Sequence, residues 1–213
     1  MHRAVKMSKL RFLSMILPIT LVSVAVCLGL LSIVKNIGPA GNKYILLNEN
    51  IVHNDKLYIP QGSNVIAVNL AKQIGVTDLK QQVYKIAGQD ESEWICLRHD
   101  GNEIIFKEKA TKGIAANGIN PNVIILKSPN DIGASQTTIT DKAIISSIVS
   151  KLTTENLTAA NLNINSAKKV MFFTAENPGI CVILHHMLDE EGNNYLVEME
   201  TGNTWQIGDE LNI

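Results

Sequence analysis

A chain of 213 residues, 46% hydrophobic and 18% charged, has the composition of a folded protein and not of a disordered tail. A formal net charge of −1, with no Lys/Arg stripe interleaved with aromatics, excludes the electrostatic footprint of a nucleic-acid binder. The average hides an asymmetry: residues 12–34 contain no Asp, Glu, Lys, Arg or His and absorb much of the apolar content.

The first eleven residues carry Arg3, Lys6, Lys9 and Arg11 and no acid; with those four set aside, 15 basic residues face 20 acidic ones downstream. Residues 12–34 read FLSMILPITLVSVAVCLGLLSIV. As a helix they extend about 35 Å, enough to cross a hydrocarbon core with a modest tilt. Fourteen of the 23 are Leu, Ile, Val or Phe. At roughly −0.3 to −0.6 kcal/mol each toward insertion, these outweigh Pro18 and the hydroxyls of Ser14, Thr20, Ser23 and Ser32. The segment therefore reads as a transmembrane helix with the lipid bilayer as its partner. Basic residues cluster before it and only Lys35 follows closely, so residues 1–11 are expected to stay cytoplasmic and everything after Val34 to be extracytoplasmic. Pro18 removes one backbone hydrogen bond, which a membrane helix tolerates. Two other readings compete. A cleaved secretory signal has an apolar region of about 7–15 residues, shorter than this one, although Gly38 and Ala40 would suit a peptidase. A lipidated Cys27 would need a small residue where Val26 stands in Val24-Ala25-Val26-Cys27, and the cysteine lies mid-segment.

Residues 35–42 form a linker rich in helix breakers. A β-rich subdomain is expected over 43–127, where Tyr44-Ile45-Leu46-Leu47, Lys56-Leu57-Tyr58-Ile59, Val83-Tyr84-Lys85-Ile86, Trp94-Ile95-Cys96-Leu97 and Ile104-Ile105-Phe106 are strand-like runs. Asn54-Asp55 marks a hairpin tip, His99-Asp100-Gly101-Asn102 a turn, and Val65 to Ile74 a short helix. Residues 110–138 read as connection apart from a strand at Val123-Ile124-Ile125-Leu126. An α+β subdomain follows over 128–213. Its helix, over about 140–152, is capped by Thr140 or Asp141 and puts Ile144, Ile145, Ile148, Val149 and Leu152 on one stripe. Val170-Met171-Phe172-Phe173, Ile180-Cys181-Val182-Ile183-Leu184, Tyr195-Leu196-Val197-Glu198-Met199 and Thr204-Trp205-Gln206-Ile207 read as four strands, the last three joined by hairpins at 189–194 and 201–203. The expected fold class is therefore α+β, with one N-terminal transmembrane helix and a mostly antiparallel β ectodomain. The helix covers one sheet face and the other stays wet.

Leu70-Ala71-Lys72-Gln73-Ile74-Gly75, then Val83-Tyr84-Lys85-Ile86-Ala87-Gly88-Gln89-Asp90, then Trp94-Ile95-Cys96-Leu97 form a recognisable succession. It resembles a largely uncharacterised extracytoplasmic module of Gram-positive secreted and membrane-anchored proteins. The pattern of that module runs from a Gly-Lys-Lys-Ile-Gly-like segment through a Tyr-x-Ile-x-Gly strand to an Ile-Ala-Val-type strand. The likeness covers about residues 56–107, with Leu70-Ala71 standing in place of the first Gly. It implies an extracytoplasmic domain in a Gram-positive bacterium and brings no catalytic residues with it.

Candidate chemistry is sparse. His185 and His186 are adjacent, so on a strand they point to opposite faces and cannot easily share one ion. A metal site would need His53 or His99 and carboxylates converging from distant segments; no metal and no cofactor is expected, with one of the pair packed inside and the other solvated. Cys96 and Cys181 sit in apolar runs. Outside the cytoplasm they can form a disulfide, and as buried thiols they act as small hydrophobes; both alternatives stand. Asp189, Glu190 and Glu191 before Gly192 lack the alternating ligands of a calcium loop. Trp94 and Trp205 are expected to pack in the core and not to line a groove. No Gly-x-Ser-x-Gly elbow, His-Glu-x-x-His helix or phosphate-cradling glycine loop occurs, so no catalytic residue is named and an interaction role is favoured over an enzymatic one.

The functional expectation is a single-pass, membrane-anchored extracytoplasmic module of the bacterial cell envelope that binds, senses or assembles, with an envelope protein or a cell-wall ligand as its partner. The competing readings are an envelope hydrolase that employs His185 or His186, and a passive spacer positioning a membrane partner.

Overall fold

In the computed structural model, which describes residues 43–127, 136–153 and 161–211, the chain goes directly into a barrel. β1 (Lys43–Leu47), β2 (Asn50–His53) and β3 (Lys56–Pro60) form an antiparallel meander. Its two tight turns, Asn48-Glu49 and Asn54-Asp55, hold all four residues at positive φ, the two-residue geometry that matches the twist of the flanking strands. β4 (Val65–Ala67) leaves the barrel. β5 (Leu70–Thr77), β6 (Gln82–Ile86), β7 (Trp94–His99) and β8 (Asn102–Glu108) then complete it in the order β1-β2-β3-β8-β7-β6-β5. Closure comes from a parallel pair, with Lys43 opposite Val76 and Tyr44 opposite Thr77. β5 meets β6 through two register shifts, irregularities of the kind that bend a strand round a small barrel. Tyr44, Ile51, Tyr58, Ile74, Val83, Ile95, Leu97 and Phe106 fill the interior as a packed core.

The second sheet contains β9 (Val123–Lys127), β10 (Thr137–Ile139), β11 (Lys168–Phe173), β12 (Ile180–Leu188), β13 (Asn194–Val197) and β14 (Thr204–Ile207), ordered β10-β9-β11-β12-β13-β14. β4 joins it against the start of β12, with Ile66 opposite Cys181, while β13 pairs with the end of β12. One α-helix, α1 (Lys142–Leu152), is capped by the Asp141 carboxylate, which accepts from the backbone N–H groups of Ala143 and Ile144 at 2.7 and 3.3 Å. Its Ile145, Ile148 and Leu152 are buried.

The largest core lies between the barrel wall and this sheet. Ile86, Trp94, Cys96 and Ile105 reach it from the barrel, Val170, Phe172, Leu184, Leu196 and Trp205 from the sheet, and the α1 residues join them. β7 shows why its sequence is apolar at consecutive positions: Trp94 and Cys96 face the sheet while Ile95 and Leu97 face the barrel interior, so both faces of one strand are buried. A polar tie joins the β3–β4 connection to the β13–β14 turn. Glu198, 7% exposed, accepts from Asn64 Nδ2 at 2.6 Å, from Asn203 Nδ2 at 2.8 Å and from the Thr201 hydroxyl.

Several expectations are corrected. The α+β class gives way to a mainly β one: strand makes up 48% of the described residues against a single α-helix, and the first sheet closes into a seven-stranded barrel. The short helix expected over 65–74 is instead β4 and most of β5, because pairing with β12 and β6 satisfies that backbone in extended form. Nor is the far side of the second sheet simply wet, since Met171, Cys181 and Ile183 form a buried cluster there. The transmembrane helix expected over 12–34, like the tail 1–11 and the linker 35–42, lies outside the described residues; among those described, no helix is long and apolar enough to cross a membrane.

Candidate functional site

The open recess of the barrel lies at the end where β1 begins, and local geometry at the β2–β3 hairpin builds it. The Asn54-Asp55 turn sets His53 opposite Lys56. The His53 ring stacks on Tyr44, with centroids 4.0 Å apart and planes 25° from parallel. His53 Nδ1 is 3.2 Å from the Lys43 carbonyl oxygen. A carbonyl only accepts, so Nδ1 carries the proton and Nε2 is left to accept from Asn54 Nδ2 at 3.0 Å. The imidazole is thereby fixed in both plane and tautomer.

The opposite wall is the turn between β6 and β7. Asp90 holds it, its carboxylate accepting from the Ser92 N–H at 2.8 Å, and these backbone and side-chain hydrogen bonds from Ser92 keep the Asp90 carboxyl below its ordinary range. The carbonyls of Glu91 and Ser92 are thus presented to the recess. The Tyr58 hydroxyl donates to them at 3.3 and 3.4 Å, and Lys56 Nζ donates to Ser92 O at 3.1 Å. Tyr44, His53, Asn54, Lys56, Tyr58, Glu91 and Ser92 line a cavity of about 170 Å³.

Electrostatically the recess sets protonated phenols beside fixed carbonyl acceptors. Burial, then the neighbouring Tyr58 and Glu91, push the Tyr44 phenol up to about 12. Burial, then Glu108, Asp90 and Glu91, raise Tyr58 as well. Both phenols keep their protons across the physiological range, which suits hydrogen-bond donation and disfavours nucleophilic or acid–base chemistry. Tyr44 is 3% exposed and, among the described residues, its hydroxyl has no hydrogen-bond partner. Tyr44 is thus a donor without a protein acceptor in a cavity that Lys56 and Glu91 also line, an arrangement that can accommodate a small polar group.

The residues singled out from sequence are dispersed. His186, 4% exposed, points into the core and lies 2.8 Å from Asn194 Oδ1; burial lowers its pKa, against the hydrogen bond to Asn194. His185 points to the outer face beside Lys169, which is itself opposite Lys127. Burial and then Lys169 lower its pKa, and that cationic row would repel a metal ion. His99 is exposed and lies 3.3 Å from Asp100. Among the described residues no group of three His, Cys, Asp or Glu side chains can hold a metal. Cys96 and Cys181 are free thiols in separate clusters. The Asp189 carboxylate is occupied by Asn193, Tyr195 and the Glu191 N–H. Trp94 and Trp205 are both buried in the main core.

Of the recess residues, only His53 was a candidate for chemistry in the sequence. Tyr44 and Tyr58 read there as ordinary strand residues. Their one signal is a phenol at an inward position of an alternating strand, where an aliphatic side chain would fill the barrel without needing a partner. Comparison with family models, curated proteins and solved structures finds no match to this chain.

Proposed function

We propose that this chain is a single-pass, membrane-anchored binding module of the bacterial cell envelope, held by residues 12–34 and engaging its ligand or envelope partner at the barrel recess. One observation carries the reading. Twenty-three uncharged residues follow four basic ones and are separated from the first strand by only residues 35–42. That pattern favours insertion with the basic flank retained in the cytoplasm and the β region outside. The resemblance over residues 56–107 supports a Gram-positive envelope. The recess supports binding over turnover, because its phenols are held protonated and its histidine is tied by two hydrogen bonds.

Two measurements test the proposal. In spheroplasts, a C-terminal tag on the full chain is expected to be digested by added protease; protection until lysis would reverse the proposed sidedness. Envelope extracts passed over the immobilised full chain are expected to yield a partner or cell-wall fragment whose retention drops with Tyr44→Phe. Retention equal to wild type would remove the recess as the binding locus.

A further inference from the structure

Eight large hydrophobic side chains are conspicuously exposed among the described residues, and four of them share one place: Ile45 at 48%, Leu47 at 55%, Val76 at 42% and Leu79 at 64%. Alternation along β1 turns Tyr44 inward and Ile45 and Leu47 outward. The parallel pairing sets Val76 beside Lys43. Beyond it, the Asp78 N–H donates to Tyr44 O at 2.9 Å and the Leu46 N–H donates to Asp78 Oδ1 at 3.0 Å, which holds the turn that carries the exposed Leu79 beside β1. Lys43 and Lys80 flank the patch, as do Asp78 and Glu49, all four exposed. Because the β1–β5 seam closes the barrel, its backbone groups are paired there, so the patch offers side chains and not an edge for strand addition.

The geometry points to this seam as a lipid-facing surface that rests on the bilayer entered by residues 12–34, an inference that depends on the anchoring proposed above. The tether selects this occupant. Eight residues, 35–42, separate Val34 from β1, and fully extended they span at most about 26–29 Å. The patch is thus confined to the immediate neighbourhood of the membrane, where a high effective concentration makes even weak apolar contact productive. Aliphatic side chains enter the headgroup–acyl boundary, and with two lysines balanced by two acids the contact rests on apolar burial. The other four exposed hydrophobics, Val68, Ile104, Ile164 and Met199, belong to other elements or connections.

The test uses the full chain in vesicles of phosphatidylcholine and phosphatidylglycerol, in a Cys27→Ser background, with an environment-sensitive fluorophore attached at Leu79→Cys or at the control Ile164→Cys. Cys96 and Cys181 are buried and escape the label. The probe at position 79 is expected to shift to the blue and lose intensity when spin-labelled lipid is included, while the probe at 164 does neither. If the chain floats with the vesicles but both positions behave as water-exposed, the lipid-facing seam is overturned and the anchoring stands. A blue shift at 79 without quenching by lipid overturns it in favour of a protein contact. Failure to float with the vesicles overturns the anchoring and this inference together.

Discussion

Cys96 lies in the core between barrel and sheet and Cys181 in the cluster on the sheet's outer side, so the disulfide left open by the sequence does not form between them. Burial pushes both thiols up to about 12, and a thiolate is the reactive species. Iodoacetamide at pH 8 is therefore expected to leave both unmodified in the native protein and to alkylate both after denaturation, as read by intact mass; native labelling of either would contradict their placement. Glu210 carries the opposite shift. Burial opposes its ionisation, but hydrogen bonds from Lys151 and Ser147, both 2.6 Å, prevail and hold its carboxyl at about 2. With the folded value below the ordinary 4.5, this stabilisation is complete above pH 4.5 and is lost as pH falls toward 2. Glu210→Gln is expected to cost about 1–3 kcal/mol at pH 7 and to flatten the acid limb of a denaturation series in that window; an unchanged limb would refute the assignment. None of this was readable from spacing, because Lys151 and Glu210 are brought together across 59 positions.

At the scale of elements, the local signals were good where a turn or cap writes itself in residue type. Asn54-Asp55 is the hairpin tip that alternating runs on either side demanded, and Asp141 caps α1. Replacing Asp141 with Ala is expected to cost about 1 kcal/mol in chemical denaturation, since two N–H groups lose their acceptor. Gly179 is the position where an element junction tolerates no side chain. Its φ is +79° and an added Cβ would stand 2.2 Å from the Ala87 carbonyl oxygen, where the strand β6 exit meets the start of β12. Left-handed backbone alone costs an L-residue roughly 1–2 kcal/mol, and the backbone clash adds to it. Gly179→Ala should therefore lower stability by more than the Asp141→Ala cap variant; a smaller loss would mean the junction yields. The misread element, residues 65–74, fails for a reason at this same scale. Its apolar spacing is compatible with a helix turn, and only its two strand partners, β12 and β6, make extension the better state.

For the molecule as a whole, the decisive feature is that the barrel and the second sheet share their largest core. Trp94 on the barrel and Trp205 on the sheet both lie in it. Fully burying a large aliphatic or aromatic side chain stabilises by about 1.5–3 kcal/mol, so separating the two layers would expose too much for either to survive unchanged. Urea unfolding followed by tryptophan fluorescence and by far-UV circular dichroism is expected to give coincident single transitions. Two resolved transitions would show that barrel and sheet stand independently. The polar tie through Glu198 fastens the β3–β4 connection to the β13–β14 hairpin.

By itself the sequence determined what depends on neighbours along the chain: most strands through alternation, the turns at Asn54-Asp55, 99–102, 189–194 and 201–203 but not Asn48-Glu49, the stripe and cap of α1, and the uncharged character of residues 12–34. Tertiary structure alone decided the closure of β1 on β5, the transfer of β4 to the second sheet, the mainly β class and the convergence of Tyr44, His53, Lys56, Tyr58 and Glu91 at one recess. The physical reason is range. Periodicity records which face of a segment is buried, whereas barrel closure and the recess arise from pairings between segments tens of residues apart, which local pattern does not encode.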